Sequence, residues 1–361
     1  MDDTATTMRL DRTAGEAAGH PTSALAEAVL RRLLPVAGRG IIFAGHGVAR
    51  GFTSRKVEKV HLPFEDFAAI VALLKRLDYD FLAMDQVVAL SRNGFRHRKH
   101  WVHLTFDDGY QNNFDVIYPF LKERGIPFSV FVSTHYVETR ERFPTFMLGL
   151  AQELGLPLAE TFAGADAART VFDKHLHYAS FDRHREIEAQ VKSLFPNGDE
   201  WASPDWYNDA PIELDDLKAM ARDPLVHIGS HSHHHIIYHD GQDPSVAREN
   251  LAESLRLLTS EWGVSGNPTF CYPNGDWAPQ WAEMVRELGF PLGFPNITGF
   301  VDKSVSPMMM PRFWLSTQSR ALLTCTLSVF GNQVLRLFGR LPPSHFAKQL
   351  NKRRSPSPKR P

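Results

Sequence analysis

Short apolar runs alternate with amphipathic segments along most of this chain. Trp101–Phe106 and Phe128–Val132 are continuous apolar runs, and each reads as a buried strand. Between them, a helical pattern ends near Arg124 and Gly125, where glycine can stop a helix. A strand, a helix and a strand in close succession predict parallel pairing with a right-handed crossover.

The same alternation recurs on both sides of this unit. Pro63 opens a helix whose apolar residues fall on one face. Further strands are predicted near Ile41–Ala44, Leu225–Gly229, Thr269–Tyr272 and Arg312–Leu315. Repeated βα units over about 280 residues favour an α/β fold, either a barrel or a doubly wound sheet.

The pattern divides the chain into three parts. Residues 1–38 form a peripheral N-terminal segment, and residues 39–318 form the α/β domain. Residues from about 135 to 212 are less regular, and we interpret them as an insertion on the catalytic side. Residues 319–361 end in a basic tail rich in proline and serine, for which we expect disorder. Within this part, residues 321–340 mix apolar residues with arginines, so they either dock on the domain or lie on a membrane surface.

Composition excludes several classes of protein. The 361 residues are 43% hydrophobic and 22% charged, as in soluble globular proteins. A net charge of −1 gives no electrostatic reason to expect a nucleic-acid partner. Two cysteines form no disulfide framework, and the first twenty residues lack the apolar core of a secretory signal. We therefore expect a cytoplasmic protein whose membrane contact, if any, is peripheral at the inner membrane face.

Candidate chemistry begins where the Trp101–Phe106 strand ends. Asp107 and Asp108 follow it directly, and the carboxyl ends of strands are where α/β proteins place their active sites. Adjacent residues leaving a strand point in different directions, so one carboxylate can hold a metal while the other faces substrate. An ordinary Asp-Gly turn with Gly109 is the alternative for this segment alone.

A second polar segment, Gly229–His235, also follows a predicted strand. Within it, His231 and His235 are four residues apart and can converge on one ion. With one carboxylate they make a site that leaves coordination positions open for water and substrate. Imidazole suits Zn²⁺, but also Co²⁺, Ni²⁺ or Fe²⁺. The other histidines nearby are assigned to structure or solvent: His227, His233, His234 and His239.

Together, these motifs resemble the polysaccharide deacetylase family, the nodulation-type domain of carbohydrate esterase family four. The resemblance rests first on Thr105–Gly109 with His231 and His235. It extends to three further segments, Ile126–Val132, Phe270–Gly275 and Met310–Arg312, and spans roughly residues 40 to 316. It implies a distorted (β/α)₇ barrel and metal-dependent removal of N-acetyl groups from GlcNAc-containing glycans.

The resemblance also implies roles for individual residues. Asp108, His231 and His235 would hold the metal, with Zn²⁺ expected first, and Asp107 would be the general base. A backbone N–H at Asn274 would stabilise the oxyanion. Further substrate contacts are expected at or beside these motifs: Tyr110, Pro273, Asp276 and Trp277. Four aromatic residues can stack on sugar rings or pack in the core: Trp201, Trp206, Tyr207 and Trp277.

Two positions depart from the family pattern. Cys271 occupies the place of an arginine that orients the base, and we hypothesise that Arg312 supplies the guanidinium instead. The late Leu-x-His motif, source of the general acid, is missing. His46, after the first predicted strand, is the candidate replacement, although it could equally pack within the barrel.

The leading hypothesis is a metal-dependent deacetylase acting on GlcNAc-containing poly- or oligosaccharides of an exopolysaccharide or the cell envelope. A related amidase or deformylase acting on another amide is one alternative. A catalytically inactive glycan-binding domain is the other. Only the two enzymatic hypotheses require the acidic and histidine motifs to be intact.

Overall fold

The computed structural model describes residues 40–158, 180–195 and 199–315. The predicted segments 1–38 and 319–361, including residues 321–340, lie outside these described residues. The middle of the predicted insertion does so too. Over the described ranges, no helix is both long enough and apolar enough to cross a membrane.

Ten strands and ten α-helices make up the described chain. The strands are β1 (Gly40–Gly45), β2 (Gly47–Ala49), β3 (His61–Pro63), β4 (Asp80–Phe81), β5 (Trp101–Phe106), β6 (Phe128–Val132), β7 (Val226–Ser230), β8 (Phe270–Cys271), β9 (Gly293–Phe294) and β10 (Phe313–Trp314). The helices are α1 (Phe64–Arg76), α2 (Met84–Ser91), α3 (Tyr118–Lys122), α4 (Thr134–Thr139), α5 (Pro144–Glu153), α6 (Phe181–Ser193), α7 (Asp199–Ala202), α8 (Leu214–Ala221), α9 (Pro244–Arg256) and α10 (Pro279–Glu287). Shorter turns are π-helical at Asn113–Ile117 and Leu257–Glu261, and 3₁₀ at Pro204–Asp209, Pro273–Gly275 and Pro307–Met309.

Seven parallel strands of a curled eight-stranded sheet lie in the order β10-β1-β5-β6-β7-β8-β9, and the short strand β4 pairs with β5 beside them. From β1 to β9 the strands of this list keep their chain order, with β2, β3 and β4 lying between β1 and β5 in the sequence, and the last strand, β10, returns beside β1. Phe313 of β10 pairs with Phe43 of β1. The end strands β9 and β10 are not paired with each other, so the barrel is open there. The fold is the distorted (β/α)₇ barrel that the sequence predicts.

Strand β5 lies in the middle of this sheet, between β1 and β6. All its residues are buried, as expected for a parallel strand covered on both faces. Its polar side chains, His103 and Thr105, are hydrogen-bonded inside the barrel. His103 bonds the Leu82 carbonyl and the Ser129 hydroxyl, both at 2.7 Å, and Thr105 donates to the Phe43 carbonyl at 2.7 Å. This paired core fixes the position of the strand end that carries Asp107.

The predicted helix–strand pattern is confirmed around β5. The segment between β5 and β6 folds into a π-helical turn and α3, and the two strands are parallel, with Leu104 opposite Phe128. Helix α1 begins after Pro63 and buries one apolar face against the barrel, as an amphipathic helix should.

The described parts of the insertion have their own small core. Phe146 and Leu150 of α5 pack with Ile187 and Val191 of α6, and Trp206 completes the cluster. The insertion then rejoins the barrel beside the end of β5. Its 3₁₀ turn, Pro204–Asp209, therefore lies next to the acidic motif.

Candidate active site

A cavity of about 540 Å³ lies at the carboxyl ends of the barrel strands, a volume typical of small-ligand sites. Most of the polar side chains singled out from the sequence line it, together with residues from the insertion. The polar and aromatic lining includes His46, Asp107, Asp108, Tyr110, Asp209, His231, His235, Asn274, Asn296, Arg312 and Trp314.

Asp108, His231 and His235 converge in this cavity. The Nε2 atoms of His231 and His235 each lie 3.4 Å from Asp108 Oδ1. The centroids of the two imidazole rings are 4.9 Å apart and the ring planes are at 72° to each other, so the rings approach Asp108 Oδ1 from different directions. The three potential ligand atoms lie within 4.8 Å of one another, as the donors of a shared ion must.

The backbone at this site is bent into an unusual conformation. Asp108, Ser232, His235 and Asn274 have positive φ values between 54° and 74°. They are four of the seven non-glycine residues with positive φ in the described chain. Such residues cost free energy and cluster at functional sites, because the surrounding fold holds them in place.

Hydrogen bonds beyond the cluster fix the histidine orientation. His231 Nδ1 bonds the Cys271 carbonyl on β8 at 2.9 Å. A carbonyl only accepts, so Nδ1 carries the proton and Nε2 is free to bind an ion. The His235 ring packs edge-on against Phe143 of the insertion, with 5.6 Å between ring centroids.

The chemistry of this cluster fits a divalent metal. Asp108 Oδ1 is buried and has no hydrogen-bond partner within the described structure, which is costly for a carboxylate oxygen unless a cation is bound. Burial opposes ionisation of Asp108, but the adjacent imidazoles of His231 and His235, each 3.4 Å from Oδ1, hold its pKa well below the usual value. Two imidazoles and one carboxylate are a common set of ligands for a catalytic Zn²⁺.

Asp107 forms a buried ion pair with Arg312, the first residue before β10. Arg312 donates to both carboxylate oxygens, at 2.7 and 2.9 Å, and both side chains are only 3% exposed. The guanidinium also donates to Thr105 Oγ1 and Cys271 Sγ, each at 3.1 Å. Burial alone would raise the pKa of Asp107, but Arg312 and His231 more than offset it, so the pKa is lowered and the carboxylate is ionised.

His46 and Asn274 both line the cavity and follow different strands of the barrel. His46 follows β1 and stacks on Trp314 of β10, with 5.2 Å between ring centroids. Burial lowers the pKa of His46, although Asp108 and Asp107 oppose this. Asn274 sits in the turn after β8 and lines the cavity. The next residue must be glycine, because a Cβ on Gly275 would lie 2.0 Å from Asn296.

Four further predicted contacts are divided between the cavity and the core. Tyr110 is 2% exposed and lines the cavity. Pro273, Asp276 and Trp277 are buried but are not among its lining residues. Trp277 packs in an apolar cluster beside α10, and Asp276 accepts a hydrogen bond from the Asn274 side chain at 3.2 Å.

Three insertion aromatics that the sequence suggested for sugar stacking, Trp201, Trp206 and Tyr207, are not among the lining residues of the cavity. Trp206 belongs to the insertion core, and Trp201 packs against it. Tyr207 is 47% exposed and donates to Asp115 on the outside of the barrel. In these positions the three side chains pack or face solvent.

The neighbouring His233 and His234 are hydrogen-bonded to other residues beside the candidate metal site. Asn250 Oδ1 accepts from the His233 and His234 backbone N–H groups, so its Nδ2 must donate to His234 Nδ1. A neutral His234 therefore carries its proton on Nε2 and offers no free lone pair to an ion. His233 bonds Thr134 through Nδ1, and burial lowers its pKa to about 4. These contacts support a structural role.

Three of the polar and aromatic cavity residues were not singled out from the sequence: Asp209, Asn296 and Trp314. Trp314 is 37% exposed and its Nε1 donates to Asn296 at 2.8 Å. It lies two residues after Arg312, at a strand end, which is the signal that could have identified it. Asp209 comes from the irregular insertion, where no periodicity points to a site.

A model of the polysaccharide deacetylase family matches residues 96–293, which is more than half of the chain. The chain therefore belongs to the polysaccharide deacetylase family, and as a member it is a hydrolase of amide (N-acetyl) bonds. A search of curated proteins found no significant match.

Solved structures of deacetylases share the fold. The Streptococcus pyogenes deacetylase PplD, in complex with acetate, aligns with a TM-score of 0.54 and 17% identity over 81% of this chain and 100% of its own. IcaB from Ammonifex degensii aligns with a TM-score of 0.55 and 16% identity, over 81% of this chain and 98% of its own. A Bacillus cereus polysaccharide deacetylase aligns with a TM-score of 0.51 and 10% identity, over 81% of this chain and 70% of its own. At these identities the likeness establishes the barrel fold.

Replacing Asp108 or His231 by alanine should weaken Zn²⁺ binding by at least about 100-fold, because each removes a ligand from the converging set. Equilibrium dialysis of the metal-stripped protein against Zn²⁺ measures this. His234→Ala is the matched control, since His234 is nearby but carries its proton on Nε2. Unchanged Zn²⁺ affinity in Asp108→Ala would exclude this metal centre.

Proposed function

We propose that this protein is a metal-dependent deacetylase that removes N-acetyl groups from GlcNAc-containing glycans. The observation that carries the proposal is the arrangement of the two adjacent carboxylates. Asp107 is paired with Arg312, while Asp108 is grouped with His231 and His235 in the same cavity. One carboxylate is thus available for proton transfer and the other for metal binding.

Asp108, His231 and His235 are the residues that would hold the metal. When bound there, a divalent ion polarises the acetamide carbonyl and makes a coordinated water more acidic. The two imidazoles and one carboxylate favour Zn²⁺, with Co²⁺, Ni²⁺ and Fe²⁺ as alternatives.

Asp107 acts as the general base in this proposal. Its lowered pKa keeps it ionised at neutral pH, so that it can accept a proton from the attacking water. Arg312 holds both of its oxygens, which fixes the direction of the carboxylate without protonating it. The hydrogen bonds from Arg312 to Thr105 and Cys271 restrict the guanidinium in turn.

His46 and Asn274 complete the proposed machinery. The Asn274 backbone N–H stabilises the oxyanion that forms on the acetyl carbon's oxygen. His46 gives a proton to the leaving amine, a step that requires its protonated form. Burial lowers the pKa of His46 and disfavours that form, whereas the nearby Asp108 and Asp107 carboxylates favour it. The products are then acetate and the free amine of the sugar.

The lining of the cavity supports the proposal that the acetamide is attached to a sugar. Trp314 is partly exposed at the cavity, and its indole is held by Asn296 and by stacking with His46. A fixed aromatic face of this kind can pack against the C–H face of a pyranose ring. The related amidase and deformylase hypotheses predict the same proton chemistry and differ in the acyl group or its carrier.

Asp107→Asn should lower kcat by about 10²–10⁴-fold, because the amide cannot accept the proton. The assay is acetate release from GlcNAc oligomers and other acylated glycans, after metal removal and addition of Zn²⁺, Co²⁺ or Ni²⁺. Asp215→Asn, on the exposed face of α8, is the matched control. No acetate from any glycan with any ion would point to another acyl group or to a binding domain.

Arg312→Lys should lower kcat roughly 10–100-fold, because one ammonium cannot hold both oxygens of Asp107 in a fixed plane. Zn²⁺ content should stay at the native level, since Arg312 is not a ligand. Arg286→Lys, an exposed substitution on α10, serves as the control. Native turnover in Arg312→Lys would show that base orientation does not depend on the guanidinium.

His46→Gln should lower acetamide hydrolysis by about 10²-fold, while hydrolysis of 4-nitrophenyl acetate falls much less. A nitrophenolate can leave as an anion, whereas an amine must be protonated before it can leave. The ratio of the two rates therefore isolates the acid role from metal binding and from folding. Equal losses on both substrates would assign His46 to packing.

A further inference from the structure

Asp209 is a buried carboxylate in the cavity for which the proposed mechanism has no role. It is only 2% exposed, and it lines the cavity together with Asp108 and Tyr110. Its Oδ2 atom is buried and has no hydrogen-bond partner in the described structure. An ionised carboxylate only accepts hydrogen bonds and offers about four acceptor positions, so a donor is missing here.

The backbone around Asp209 is tied to the acidic motif. Ala210 accepts a hydrogen bond from the Gln111 N–H at 2.7 Å, and Ile212 N–H donates to the Gly109 carbonyl at 2.8 Å. These two bonds flank the bridge between Tyr110 and Pro211. The insertion thus places Asp209 at a fixed position relative to the catalytic carboxylates.

A chain of side-chain amides determines which ring nitrogen of the neighbouring His61 carries the proton. Asn113 Nδ2 donates to the His46 carbonyl at 2.9 Å and to Asn112 Oδ1 at 3.3 Å. Asn112 Nδ2 must then donate to His61 Nδ1, 3.2 Å away. Neutral His61 consequently carries its proton on Nε2, which lies 3.2 Å from Asp209 Oδ1.

His61 does not satisfy the carboxylate fully. Its Nε2 is within ion-pair distance of Oδ1 but lacks hydrogen-bond geometry, and Oδ2 has no partner at all. Arg142 is attracted to Asp209, yet it makes no ion pair with it within 4.0 Å, and its buried Nη1 has no partner in the described chain. Among the described residues, nothing supplies the donor that Asp209 requires.

We propose that Asp209 is a specificity-determining residue that accepts a hydrogen bond from a hydroxyl group of the sugar whose acetamide is cleaved. This inference rests on the proposed function and names how the glycan is recognised. A sugar hydroxyl is a neutral donor, and it can enter a cavity already lined by Asp107 and Asp108. A carboxylate-bearing sugar would be repelled by all three acids.

The test compares a GlcNAc oligomer with analogues that lack one hydroxyl, at C3 or at C6, on the reacting sugar. The Zn²⁺-loaded native enzyme should prefer the parent over one analogue by about 10–100-fold in kcat/KM, the loss expected for a hydrogen bond to a charged group. Asp209→Ala should bring that ratio close to one, because the acceptor is gone. A merely structural role would lower all three rates together and leave the ratio unchanged.

Asp205→Ala is the matched control, since Asp205 is an exposed carboxylate on the same 3₁₀ turn and does not line the cavity. It should keep the native ratio. If Asp209→Ala does not fold, as judged by thermal unfolding and Zn²⁺ content, Asp209→Asn replaces it. The neutral amide should reduce the ratio by roughly half on a logarithmic scale, because charged hydrogen bonds are about twice as strong.

Two outcomes would overturn the inference alone. In one, the native enzyme cleaves all three glycans equally well. In the other, it discriminates and Asp209→Ala discriminates equally. A native enzyme that releases no acetate from any of the three would instead overturn the proposed function, and this inference with it.

Discussion

The buried ion pair between Asp107 and Arg312 is the interaction on which the candidate site depends. A carboxylate that is 3% exposed cannot stay charged without a partner, and a guanidinium at the same depth cannot either. Their pairing joins the end of β5, at the centre of the sheet, to β10, which is the last barrel strand in the chain. Because β10 pairs with β1, the return of the chain to its starting edge also brings Arg312 to Asp107. The pairing of β10 with β1 therefore also orients Asp107, through Arg312.

The rest of the site is built from the ends of other strands in the same way. The end of β7 brings His231, β8 supplies the carbonyl that orients it, and the turn after β8 brings Asn274. The backbone of Asp108, His235 and Asn274 lies in the left-handed region of φ/ψ space, which costs free energy. Neighbouring packing holds these turns in place, as at Gly109, where a Cβ would approach Val132 to 2.7 Å. The fold thus supplies both the donors and the rigidity that keeps them convergent.

Sequence patterns predicted the parts of this arrangement that depend on local order. The apolar run before Asp107 identified β5, and the spacing of His231 and His235 identified a possible ligand pair, because both signals lie within a few residues. Asp209 could not be found in this way. Its place in the cavity depends on an irregular insertion that rejoins the barrel beside Tyr110, which is a long-range contact. Trp277 shows the converse limit: a sugar-stacking aromatic and a core aromatic look alike in sequence, and only packing places this one in an apolar cluster.

Cys271 shows how the site accommodates a departure from the family pattern. Burial raises the pKa of its thiol, although Arg312 opposes this, so the side chain stays neutral beside the ion pair. A neutral thiol that accepts a hydrogen bond from Arg312 adds no second positive charge near Asp107. An arginine at this position as well as at Arg312 would place two buried guanidinium groups around one carboxylate, and one of them would be unpaired. A small residue on β8 is thus the physical counterpart of an arginine supplied from β10.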